Sequence, residues 1–129
     1  MLPASSPPAR LDVDVDGLRS GHGVVRICVT RDPGHFPDCH SDPQARRVTV
    51  PAGQPIPEFT DLPSGDYAVA LFHDENGNRK LDRLAGIPTE GVGFSNNPRL
   101  MFGPPRFTQA RFALTNKPVD ERVRLKYFL

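Results

Sequence analysis

The chain has 129 residues, enough for one domain that buries roughly two-thirds of the surface its unfolded form exposes. Only 37% of it is hydrophobic, and fifteen prolines with eleven glycines leave little room for long helices, because proline inside a helix removes a hydrogen bond and clashes. Sixteen basic against fifteen acidic residues give a net charge of +1, which removes the electrostatic case for nucleic acid or an anionic membrane as partner; no apolar run reaches the roughly 20 residues of a membrane helix.

Residues 1–10, Met-Leu-Pro-Ala-Ser-Ser-Pro-Pro-Ala-Arg, lack the apolar centre of a signal peptide and read as a flexible lead. Residues 11–129 read as a single β-sandwich domain. Leu11, Val13 and Val15 alternate with Asp12, Asp14 and Asp16, the period of a half-buried strand. Val24 to Thr30 repeats the pattern, with Val25, Ile27 and Val29 on one face and Arg26, Cys28 and Thr30 on the other. Residues 31–45 are an irregular excursion rich in proline, histidine and acid. A disulfide between Cys28 and Cys39 is the favoured use of the two thiols there. The alternative is a metal site drawing on Cys28, His35, Cys39 and His40, whose spacing matches no paired zinc pattern.

Arg47–Val50 is a short strand, and Ile56–Thr60, set between prolines, belongs at a sheet edge. The turn Leu62-Pro63-Ser64-Gly65-Asp66 leads into Tyr67–His73, whose two faces, Tyr67, Val69, Leu71 and Ala68, Ala70, Phe72, are both apolar. That pattern marks a central strand covered on both sides. Gly86–Pro98 shows no helical or strand period and reads as a long ordered loop. Thr108–Leu114 alternates with Ala110, Phe112 and Leu114 inward; Glu121–Phe128 sets Val123, Leu125 and Tyr127 against Arg122, Arg124 and Lys126. Short strands separated by turn signals predict an all-β, single-domain antiparallel sandwich of about seven strands.

The polar run His73–Asp82 carries the clearest chemical signal. Asp74, Asn76, Asn78, Lys80 (through its carbonyl) and Asp82 occupy every second position, the ligand ladder of a calcium loop. Arg79 stands at the sixth position, where the sharp turn prefers glycine, and Ala85 at the twelfth, where a glutamate is usual; Glu90 is the carboxylate placed to fold back instead. So few charges predict weak binding, about 10⁻⁴–10⁻³ M. Two other arrangements fit the same residues. One is a hairpin turning at Asn76-Gly77; the other is a loop held by its own Asx turns. Ser95 lacks a nucleophile-elbow surround.

Phe59-x-x-Leu62-Pro63-x-Gly65-x-Tyr67-x-Val69, then His73-Asp74-Glu75-Asn76-Gly77-Asn78 and Lys80-Leu81-Asp82, resembles the bacterial domain-of-unknown-function family 2141. Gly86-Ile87-Pro88-x-Glu90-Gly91-x-Gly93-Phe94-Ser95-Asn96-Asn97 is similar to that family's second signature. The resemblance implies an immunoglobulin-like or prealbumin-like sandwich, related to transthyretin-like and carboxypeptidase-regulatory-like domains. It also implies a periplasmic or extracellular home, which favours the disulfide, and a glycine where Arg79 stands.

The function expected is a secreted, non-enzymatic binding or structural module. Its loop is fastened by calcium or by its own hydrogen bonds, and Phe94, Ser95, Asn96 and Asn97 form the contact surface for a protein or glycan. The alternative is a small hydrolase or isomerase using His73, Asp74 and Glu90.

Overall fold

Alternation dictates the first strand, β1 (Ala9–Asp16), whose Leu11, Val13 and Val15 are buried while the aspartates between them keep contact with solvent. The computed structural model describes residues 9–39, 41–53, 56–100 and 103–129. The remaining strands are β2 (Val24–Thr30), β3 (Arg46–Pro51), β4 (Glu58–Leu62), β5 (Gly65–Asp74), β6 (Arg83–Leu84), β7 (Ile87–Pro88), β8 (Val92–Phe94), β9 (Phe112–Leu114) and β10 (Val119–Arg124), with one short helix, α1 (Phe107–Ala110). The chain is an all-β sandwich. Most of the expected lead, residues 1–8, lies outside the described residues, but Ala9 and Arg10 already belong to β1, and Ala9 pairs with Leu62.

One sheet has the order β10-β1-β4 and the other β3-β2-β5-β8, with β9 also on β5. Their inner faces close one core: Leu11, Val13, Phe59 and Val123 from the first sheet meet Val25, Ile27, Val69 and Leu71 from the second. The edge position expected for the proline-flanked piece holds for β4. The first and last strands depart from the antiparallel expectation. They run parallel, registering Asp14 against Arg122 and Asp16 against Arg124. Those pairs lie 3.5 and 3.2 Å apart on the exposed face, and surface pairs of this kind contribute about 0–1 kcal/mol each. The register therefore rests on Leu11, Val13 and Val123, which face the core.

Both faces of β5 are covered, as its composition requires. Tyr67, Val69 and Leu71 enter the main core, while Ala68 and Ala70 join Val92, Phe94, Phe107 and Ala110 in a second cluster outside the sheet. The Tyr67 hydroxyl donates to the Pro63 carbonyl at 2.7 Å, which closes the turn ahead of the strand and explains why tyrosine follows Leu-Pro-x-Gly.

Two expected segments are corrected. Gly86–Pro98 is not a plain loop: it contains β7 and β8, and β8 pairs Phe94 with Ala70 and Val92 with Phe72. A buried strand leaves no N–H or C=O unpaired on its open side, so the edge of β5 recruits residues whose own pattern gives no strand period. Gly93 permits the approach, since a Cβ there would meet Val123 Cγ1 at 2.8 Å. Thr108–Leu114 is likewise not one strand. Phe107–Ala110 forms α1, closed by the Arg106 amide donating to Gln109 Oε1 at 2.8 Å. Only Phe112–Leu114 pairs, against the start of β5. These short pieces raise the number of strands from the expected seven or so to ten among the described residues.

Cys28 and Cys39 form a disulfide that ties the 31–45 excursion onto the outer face of β2. The pair uses the thiols that the metal alternative needs; His40 of that alternative lies outside the described residues. The bridge spans eleven residues, and closing a loop of that size contributes about 2–3 kcal/mol by restricting the unfolded chain. Replacing both cysteines by alanine should lower unfolding free energy by that amount in a denaturant titration. An unchanged midpoint would show that the excursion is held without it.

Candidate functional site

His73 and Asp74 end β5, and strand geometry sends their side chains to opposite faces. His73 is fully buried. Its Nε2 lies 2.7 Å from the His22 carbonyl, which can only accept, so Nε2 carries the proton; Nδ1 then accepts from the Tyr127 hydroxyl at 2.9 Å. Tyr127 accepts in turn from the Arg19 amide at 3.1 Å. The Arg19 guanidinium lies 4.5 Å from the Tyr127 ring centroid and also grips Glu75.

Asp74, also fully buried, points outward to Arg26 of β2, which donates through Nε to Oδ2 at 2.7 Å. The same carboxylate accepts from the amides of Asn78 at 3.2 Å and Arg79 at 2.8 Å. Burial pushes the Asp74 carboxyl up, but Arg26 and the two amides outweigh it, and the net direction is down. Glu75 is lowered first by its hydrogen bond from Arg19, against its own burial.

Beyond Asp74 the loop satisfies itself. Asn76 and Asn78 each donate an amide N–H to Asp82, at 2.8 and 2.7 Å, while their oxygens accept from the backbone amides of Asn78 and Lys80. Glu90 does fold back, as expected of the substitute carboxylate. It is buried, and its oxygens accept from the amides of Glu75 at 2.8 Å and Asp82 at 3.1 Å. Arg79 adopts the left-handed backbone, φ +69°, that the sixth position of a calcium loop demands and that glycine takes without strain. The 75–82 segment pairs as no hairpin and is an Asx-turn network.

The expected calcium ligands Asp74, Asn76, Asn78, Lys80, Asp82 and Glu90 thus share one loop, with Asn76 and Asn78 gathered on Asp82 and with Asp74 and Glu90 each on its own partners. Asp74 already faces a cation, Glu90 binds backbone amides, and the asparagines present N–H groups rather than oxygens to Asp82. At this loop an ion would compete with Arg26 for Asp74, with backbone amides for Glu90 and with the two carboxamides for Asp82. Of the residues named in the hydrolytic alternative, His73 bonds Tyr127, Asp74 bonds Arg26, and Glu90 accepts from the Glu75 and Asp82 amides.

The expected contact surface is also corrected in part. Phe94 is buried beside Phe36 and Phe107. Ser95 is fully buried; its hydroxyl donates to the Ala110 carbonyl at 2.5 Å and accepts from the Val69 amide at 2.9 Å. Asn96 and Asn97 are exposed, yet their side chains tie β8 to neighbouring backbone. Asn96 Nδ2 donates to the Arg111 carbonyl, and Asn97 bridges the Arg122 carbonyl and the Arg124 amide. Alternating hydropathy gave no sign of Tyr127, Arg19 or Glu75 as partners of the loop. Arg26 was visible only as a charge on the outer face of β2.

These features define a class: an all-β sandwich whose central strand ends in a buried carboxylate and a self-satisfied polar loop. A family profile described as "Uncharacterized protein conserved in bacteria (DUF2141)" matches residues 13–122, and the chain belongs to that family. No curated protein and no solved structure matches it. No helix among the described residues is long and apolar enough to cross a membrane.

Acid should loosen this site first. A carboxyl whose folded pKa is depressed stabilises the fold above its unfolded pKa, about 3.9 for Asp and 4.3 for Glu. That contribution is lost as pH falls through the folded value. Arg26→Met removes the cation while burial remains, so the Asp74 carboxyl should rise. The acid limb of unfolding should then move to higher pH, read from thermal midpoints between about pH 6 and pH 3. Identical limbs in the two proteins would mean that Arg26 does not hold Asp74 ionised.

Proposed function

We propose that this domain is a non-enzymatic binding or structural module of the periplasm or cell exterior, with the Asp74–Asp82 loop as a rigid brace. The observation that carries this is the engagement of every carboxylate at the loop in a structural bond, Asp82 included through Asn76 and Asn78. Asp74 serves Arg26 and two amides, Glu75 serves Arg19 and Ser20, and Glu90 serves two amides. A general base must point at substrate, and these carboxylates are directed at donors of the fold. The disulfide supports an oxidising compartment. The partner, a protein or glycan in the expectation from sequence, is bound in this proposal by surfaces that the brace keeps in place.

The loop is held by hydrogen bonds in place of the calcium ion that its spacing suggests. Binding to the folded form raises stability by mass action; about 10 mM calcium on a site of millimolar affinity adds roughly 1.4 kcal/mol. Thermal unfolding should give the same midpoint in that calcium concentration and in chelator. A rise of several degrees reversed by chelator, and absent in Asp82→Ala, would overturn the self-braced loop in favour of calcium.

A further inference from the structure

The outer face of the β3-β2-β5-β8 sheet carries a cleft of about 1300 Å³, somewhat larger than the 300–1,000 Å³ typical of small-molecule sites. Its floor is Ala70, Phe72 and Phe94 beside the Cys28 end of the disulfide; Leu81, Ile87 and Phe128 form walls. Ile87 and Phe128 keep 45% and 44% of their surface exposed, so apolar area lines the opening. The polar lining has one dominant sign. Among the described residues, Arg26, Arg47, Arg79, Lys80 and Arg83 line it with Asp38 as the one acidic lining residue, in a chain whose overall charge is only +1. Arg26 is committed to Asp74, and Arg47 donates to the Cys39 carbonyl. Arg79, Lys80 and Arg83 are exposed at the rim.

We infer that this cleft binds an amphipathic anion with a single acyl chain, its tail along Phe72, Leu81 and Ile87 and its carboxylate head among Arg79, Lys80 and Arg83. This deepens the binding-module proposal and rests on it. The floor selects a tail rather than a peptide. It is built on β2 and β5, interior strands whose N–H and C=O groups are taken by neighbouring strands, so it offers no ladder for an added strand. The rim selects the sign of the head by charge complementarity.

The backbone at Arg79 bears on the same rim. A non-glycine residue in the left-handed region carries strain of about 1 kcal/mol or more, and here that backbone, φ +69°, is pinned by its amide bond to Asp74. Glycine would occupy the position without strain but would place no guanidinium at the cleft. The loop is therefore the device that holds the rim cation in position.

The test uses the whole chain and dodecanoate below its micelle concentration, measured by calorimetry, with acetate and dodecanol as head-only and tail-only probes. Dodecanoate should bind, acetate should not, and dodecanol should bind more weakly; raising salt should weaken dodecanoate alone. Lys80→Glu with Arg83→Glu should weaken dodecanoate about tenfold, two exposed charges being reversed. Arg79→Gly should unfold at the same or a higher temperature than the parent yet bind dodecanoate several-fold more weakly. Equal binding of dodecanoate and dodecanol, or affinities untouched by these substitutions, would overturn the anion site. Binding of an acidic peptide without dodecanoate would overturn the acyl occupant. The nitrophenyl ester of dodecanoate, offered in parallel, separates the two levels. Chromophore release above the buffer rate would sink the non-enzymatic proposal, whereas absence of both binding and release would sink only the cleft.

Discussion

The buried carboxylate of Asp74 is the constraint on which the rest of the loop depends. Its charge sits in the dry end of the sheet because Arg26 of the neighbouring strand faces it at 2.7 Å and two loop amides donate to it. Removing one partner of a buried charged pair leaves the other desolvated and uncompensated, at a cost of about 3–5 kcal/mol. That penalty makes the turn at Asn78 and Arg79 part of the sheet rather than an ornament upon it. The left-handed backbone of Arg79 follows from the geometry the carboxylate imposes.

His73 does the corresponding work on the inner face. Its two ring nitrogens join the His22 carbonyl of the chain leading into β2 to Tyr127 near the C-terminus. Adjacent residues of one strand therefore anchor opposite layers: Asp74 the outer loop, His73 the inner seam. Groups that look like acid–base candidates in the sequence are used here as structural ties. Among the described residues, no buried side-chain nitrogen or oxygen lacks a partner, as expected of polar groups placed to specify a single packing.

Much of the fold was legible from period and punctuation. Leu11-Asp-Val-Asp-Val-Asp, the two-faced run Tyr67–Phe72 and the proline-flanked edge strand each emerged where the alternation put them. The strands built from non-local demand were not legible. Val92–Phe94 is a strand because β5 has an open edge, and Ser95 is buried because Val69 and Ala110 need a donor and an acceptor between them. The same holds for Phe94, which reads as a surface aromatic in a loop but closes the cluster beneath α1. Spacing also identified Asp74, Asn76, Asn78, Asp82 and Glu90 as one unit, and they are one. Which atoms face each other within it depends on Arg26, a residue 48 positions away in sequence.

By itself, then, the sequence determined the all-β class, the double covering of β5 and the grouping of the loop carboxylates, and it favoured a disulfide over a metal site for the two cysteines. Each is written in local alternation, composition or count, and needs no knowledge of neighbours. Only the tertiary structure decided that the first and last strands run parallel, that α1 and β8 close the outer face, and that five cations gather around an apolar floor on a nearly neutral chain. Those outcomes depend on which open edges and exposed faces remain after the core has closed. Hydrogen-bond satisfaction and charge proximity act through space, and a linear pattern does not carry them.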